Sequence, residues 1–82
     1  MRLPRDLSGR ELATLLERQG YRASRQTGSH IRLVYSAEGI EHHVTVPSHR
    51  QLKIGTLSGI IADVARALGM PREELAERLF RA

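Results

Sequence analysis

Apolar residues along this chain follow two rhythms, one helical and one alternating. Leu12, Leu15 and Leu16 fall at i, i+3 and i+4, which makes one apolar stripe. Ser8-Gly9-Arg10-Glu11 in front of them reads as a capping box, Ser8 as N-cap and Glu11 at N3. Gly20 suits the position just past the helix end, with Tyr21 tucking back, so a helix is predicted over residues 9–19. The period then changes to two. Residues 21–26 form a weak strand, with Tyr21 and Ala23 on one face and Arg22, Ser24 and Gln26 on the other. Thr27-Gly28 is the expected turn. In residues 30–35, Ile31, Leu33 and Tyr35 share one face, and His30, Arg32 and Val34 share the other. Residues 36–40 are a loop in which Gly39 is free to adopt a positive φ. In residues 42–47, Val44 and Val46 alternate with His43 and Thr45, and Pro47 ends the strand because it has no N–H for a ladder.

Residues 48–54 form a polar connection. A second helix opens near Gly55-Thr56 and carries Leu57, Ile60, Ile61, Val64 and Leu68 on one stripe; Gly69 closes it. Gly59 inside this helix costs about 1 kcal/mol relative to Ala, so it is either exposed and tolerated or a point of close packing. Pro71 at N1, with Glu73 and Glu74 in the first turn, begins a third helix over about residues 71–81, edged by Leu75, Leu79 and Phe80. The expected order is α-β-β-β-α plus a C-terminal helix. This is an α+β fold in which a three-stranded antiparallel sheet has helices on one face, laid out like a double-stranded-RNA-binding domain.

Parity restricts the second hairpin. The core residues are odd-numbered on one strand and even-numbered on the other, so opposed residues sum to an odd number. A sum of 77 pairs Ile31 with Val46, Leu33 with Val44 and Tyr35 with His42, and leaves only a short loop between Ser36 and Glu41. It is preferred over 75.

Length and charge narrow the class. The 82 residues make a single domain with a small core, and no cysteine is present. Residues 1–7 lack the apolar core of a signal peptide, and no apolar run approaches a membrane span, so a cytoplasmic location is expected. The formal charge is +4, and of the thirteen cations all but Lys53 are arginine. Arginine offers a planar fork that matches phosphate oxygens. An RNA, or an acidic protein partner, suits that balance, as does a merely solvated surface.

The candidate chemistry gathers at Gly28-Ser29-His30 and on the face of Arg32. Histidine can act as general acid or base near neutrality, and the 2′-hydroxyl of RNA is a built-in nucleophile that needs no metal. Gly28 permits close approach of backbone to a phosphate, while Ser29 either donates to a phosphate oxygen or simply closes the turn. In the preferred register His43 lies ~13 Å along the strand from His30. An extended His49 would lie opposite Gly28 and is the candidate second acid or base. Lys53-Ile54-Gly55-Thr56 at a helix start is either a phosphate seat or an ordinary helix terminus. Arg32, with Arg25 and Arg50, can follow a phosphate backbone as a group. Glu41, His42, His43 and His49 look like a metal cluster, but His42 and His43 are adjacent on a strand and point to opposite faces. No metal and no cofactor are expected.

Taken in order, the blocks Ser8-Gly9-Arg10-Glu11-Leu12, Gly20-Tyr21, Gly28-Ser29-His30, Val44-Thr45-Val46-Pro47-Ser48-His49 and Lys53-Ile54-Gly55-Thr56-Leu57 with Ile60-Ile61 resemble the HicA (YcfA-like) toxins of bacterial toxin–antitoxin pairs. The resemblance covers a core of about residues 8–69 within the single domain 1–82; the C-terminal helix departs from it. It implies a double-stranded-RNA-binding-like fold, metal-independent cleavage of mRNA with His30 as the catalytic residue, and a HicB-type antitoxin that covers His30. Gly28, Ser29, Arg32, Arg50, Lys53, Gly55 and Thr56 are then the expected RNA-contacting set, with His49 as second proton-transfer candidate. The competing readings are a non-catalytic RNA-binding domain of the same fold and an interaction module for an acidic partner.

Overall fold

The computed structural model of the protein describes residues 2–81. Its elements are α1 (Gly9–Arg18), β1 (Arg22–Thr27), β2 (His30–Ala37), β3 (Ile40–Pro47), α2 (Ile54–Leu68) and α3 (Arg72–Phe80). The strands form one antiparallel sheet in the order β1-β2-β3. Helices α1 and α2 pack on the sheet and α3 packs on α2. This is the expected α+β, double-stranded-RNA-binding-like arrangement, with one sheet face left open.

Local chemistry sets the ends of α1. The Ser8 hydroxyl accepts the Glu11 amide at 3.0 Å, and the Glu11 carboxylate accepts the Ser8 amide at 2.9 Å. At the other end Gly20 takes φ 109°, its N–H donates to the Glu17 carbonyl and the Tyr21 N–H reaches back to Leu16. That pair of bonds satisfies carbonyls the last turn would otherwise leave free, and it turns Tyr21 into the core.

The core joins Leu12 and Leu16 of α1, Ile31, Leu33, Val44 and Val46 of the sheet, and Leu57, Ile61 and Val64 of α2. Leu75 and Leu79 bind α3 into the same cluster. So does Leu52, from a connection whose sequence reads as polar; its amide donates to the Leu7 carbonyl at 2.8 Å. Among the described residues Tyr21 is the one buried side chain that carries a polar group, and its hydroxyl is hydrogen-bonded to His42.

The 77 register is realised, with Ile31 opposite Val46, Leu33 opposite Val44 and Tyr35 opposite His42. Pairing continues to Ala37 and Ile40, further than the expected loop allowed. Glu38 and Gly39 both take positive φ, 52° and 78°, a two-residue turn whose twist matches the strands it joins. The first hairpin is corrected by one residue. Thr27 pairs with His30, and Gly28-Ser29 is the turn. Helix α2 starts at Ile54, slightly before the expected Gly55-Thr56, and Pro71 is the N-cap of α3 rather than its first helical residue. Gly59 faces open space: a Cβ there would meet nothing within 4 Å.

The larger correction lies in β1. Ala23 pairs with Leu33, but the next pair is Arg25 with Arg32, so Ser24 is an extra residue in a β-bulge. The simple alternation predicted for this strand places Arg22, Ser24 and Gln26 together. The bulge breaks it, moves Arg25 to the face of Arg32, and sets Gln26 opposite the buried Ile31.

Candidate active site on the open sheet face

Three cross-strand rows cover the open face. Thr27, His30 and Pro47 form the first, Arg25, Arg32 and Thr45 the second, and Arg22, Val34 and His43 the third. Directly paired residues share a face, so register alone puts His30 two positions along β2 from a row holding two guanidinium groups. Thr27, His30, Arg32 and Thr45 line a shallow depression of about 300 Å³.

His30 owes its position to the turn before it. Gly28 takes φ 56°, in the left-handed region that Gly enters freely, and the chain reverses in two residues. Space beyond the Gly28 α-carbon is empty to 4 Å, so a phosphate has room to approach the backbone there. The Ser29 carbonyl accepts the Ser48 amide at 2.7 Å, which ties the turn to the chain leaving β3. His30 itself is exposed and is the first residue of β2.

No carboxylate neutralises this end of the sheet. Among the described residues, none of His30, Arg22, Arg25 and Arg32 makes an ion pair. At the far row the His43 ring meets the Glu41 carboxylate at 2.9 Å. His42 points to the helix side instead, where the Tyr21 hydroxyl lies 2.7 Å from its Nδ1 and Asp63 lies 3.3 Å from its Nε2. Burial, then the nearby Asp63 charge and Tyr35, push the Tyr21 hydroxyl up to about 12. Tyr21 therefore keeps its proton, and the Tyr21 hydroxyl beside Nδ1 and the Asp63 carboxylate beside Nε2 hold the His42 ring on the helix side. His42 and His43 thus serve opposite faces of the sheet and have different partners.

The remaining sequence candidates lie elsewhere. Beyond Pro47 the chain leaves the sheet: the His49 carbonyl accepts the Gly9 amide at 2.9 Å, and His49 and Arg50 are exposed on the connection to α2. The structure does not bring His49 into the lining of the His30 depression. Lys53 is the N-cap of α2, with no side-chain cap to occupy the first-turn amides, and Gly55 and Thr56 lie in that turn. Gln51 donates to the Arg5 carbonyl at 2.7 Å, and this draws the N-terminal arm beside the helix start. Arg2, Leu3, Arg5 and Ile54 line a second depression there, of about 470 Å³. The sequence candidates are thus divided between a sheet site around His30 and a helix-start site around Lys53. Sequence reasoning named Arg25 only within a loose cation group with Arg32 and Arg50, without placing it on this face, and did not single out Thr27. Thr27 follows from a one-residue shift of the turn; for Arg25 no residue type in the strand signals the bulge.

Fold and site define a small α+β domain with the layout of a double-stranded-RNA-binding domain, with Arg22, Arg25 and Arg32 on its open sheet face. A family model described as HicA toxin of bacterial toxin–antitoxin matches residues 9–69. The chain belongs to this family and is a toxin of a toxin–antitoxin system. The matched stretch runs from the first residue of α1 to Gly69 and ends before α3. No curated protein matches the chain, and no solved structure does. Among the described residues no helix is long and apolar enough to cross a membrane.

Proposed function

We propose that this toxin is an endoribonuclease that cleaves mRNA without metal or cofactor, with His30 as general acid or base. The observation that carries the reading is the place of His30: exposed, at the mouth of a two-residue turn, in one depression with Arg32. Family membership supports the toxin role.

In the proposed reaction the 2′-oxygen of a ribose attacks the adjacent phosphorus and the bond to the 5′-oxygen breaks. One proton leaves the 2′-hydroxyl and one is delivered to the departing 5′-oxygen. The imidazole of His30 performs one of these transfers, and His49 remains the candidate for the other. The products are a 2′,3′-cyclic phosphate and a free 5′-hydroxyl, with no further reactant consumed. Arg32, two residues along β2 from His30, holds the RNA backbone beside the reacting phosphate. Gly28 and Ser29 admit the phosphate to the turn. Lys53, Gly55 and Thr56 offer a second phosphate seat at the start of α2, with Arg50 on the connection between the two sites. A HicB-type antitoxin silences the enzyme in the cytoplasm by covering His30.

The test compares the protein with His30→Ala on RNA in the presence of EDTA, scoring cleavage and binding separately. Loss of about a hundredfold to ten-thousandfold in cleavage with binding retained is expected. Cleavage unaffected by the substitution would remove His30 from the chemistry. RNA binding without cleavage by the unmodified protein would favour the non-catalytic reading.

A further inference from the structure

The β-bulge at Ser24 sets Arg25 directly across from Arg32, one row from His30. Two like charges opposed across a strand pair destabilise a sheet. No carboxylate among the described residues relieves this pair. A strand with regular alternation would have turned Arg25 to the helix side. Bulges of this kind re-aim a side chain. Here the Ser24 hydroxyl holds the bulge by donating to the Arg32 carbonyl at 3.3 Å. A group that satisfies two guanidinium forks at once is a dianionic or shared monoanionic oxyanion, and phosphate matches that geometry.

Spacing identifies which phosphate. The Arg25–Arg32 row lies two residues from the Thr27–His30 row, ~7 Å along the strands. Successive phosphorus atoms of an extended RNA strand are joined by six backbone bonds, which span about that distance. Arg22 begins a third row in the same direction.

We propose that Arg25 and Arg32 clamp the phosphate next to the one being cleaved, so that the substrate is a single RNA strand lying along β1 and β2 and must carry at least two consecutive phosphodiesters. This rests on the nuclease reading for the role of His30, while the clamp itself is measurable by binding alone. The fold keeps an unfavourable arginine pair in the free protein, and the flanking phosphate relieves it on binding.

The experiment uses trinucleoside diphosphates in which the linkage flanking the scissile one is either a phosphodiester or an uncharged methylphosphonate, placed on either side in turn. For the unmodified protein the neutral linkage on one side is expected to lower kcat/KM about ten- to a hundredfold. In Arg25→Gln the same replacement is expected to cost several-fold less than in the unmodified protein, because only Arg32 still holds that phosphate. The same non-additivity is expected in Kd for oligonucleotides bearing 2′-O-methyl at the scissile position, which bind without reacting. Arg25→Gln is also expected to raise the Tm of the free protein, whereas loss of a structural arginine would lower it. Equal methylphosphonate losses in Kd for the unmodified protein and Arg25→Gln, or no loss in either, would overturn the clamp. So would Arg25→Gln weakening only antitoxin binding. Absence of cleavage with the binding pattern intact would instead count against the nuclease reading and leave the clamp standing.

Discussion

The amide of Ser48 donates to the carbonyl of Ser29 across 2.7 Å, and this bond ties the His30 turn to the connection that leaves β3 beside α1. The next residue, His49, accepts from Gly9 at the start of α1. The turn that carries His30 is therefore held by a short series of backbone bonds ending on a helix N-terminus.

Gly9 has no room for a side chain. A Cβ at this position would lie 1.8 Å from the Pro47 carbonyl oxygen, a backbone atom that cannot swing away. Gly9→Ala is expected to cost about 1–3 kcal/mol of stability, measured by urea unfolding, and to lower RNA cleavage by loosening the Ser48–Ser29 tie. An unchanged unfolding midpoint would show that α1 moves away from β3 without penalty.

Gly59 presents the opposite case. It lies within α2 and a Cβ would contact nothing. Gly59→Ala is expected to add about 0.5–1 kcal/mol in the same assay, through the smaller entropy lost by Ala on entering a helix. A loss would mean the position packs against something.

Tyr21 makes the fold sensitive to alkali. Its hydroxyl moves from 10.0 to about 12 in the folded chain, so between those values the folded state holds more protons than the unfolded one. Its contribution is fully present below pH 10 and is lost as pH rises towards 12. The stability difference between the unmodified protein and Tyr21→Phe is expected to shrink over this interval. A difference that stays constant with pH would mean Tyr21 titrates alike in both states.

RNA affinity should fall steeply with added salt, since counterions released from phosphates drive such binding. Arg32→Gln is expected to weaken binding uniformly across sequences and to reduce the slope of log K against log salt by about one. Fluorescence anisotropy over a salt series measures both; an unaltered slope would place Arg32 away from phosphate.

Helix α3 lies outside the family match yet contributes to the core. Leu75 is fully buried against α2. Leu75→Ala is expected to cost about 2–5 kcal/mol, while kcat on RNA, measured well below the lowered Tm, stays unchanged because His30 lies on the far side of the sheet. A fall in kcat without loss of stability would give α3 a part in the reaction.

Much of this molecule was legible in the order of its residues. The capping box at Ser8, Gly20 and the alternation of Ile31, Leu33, Val44 and Val46 are local signals, and local backbone chemistry is enough to realise them. The odd sum of opposed core positions narrowed the pairing of β2 with β3, because a slip of one residue would turn its apolar face to water, and the short loop favoured the observed sum of 77 over 75. The exposed place of His30 at the head of β2 followed from the alternating run after Gly28-Ser29.

The tertiary structure decided what depends on partners distant in sequence. The extra residue at Ser24 exists only relative to β2, so nothing within Arg22–Thr27 announces that Arg25 joins the face of His30. His49 is drawn off the sheet by a bond to Gly9, forty residues earlier in the chain, and Leu52 joins the core from a connection whose backbone bonds to Leu7 of the N-terminal arm. Periodicity encodes which side of its own element a residue occupies; which other residues share that side is fixed when the strands pair and the helices close on them.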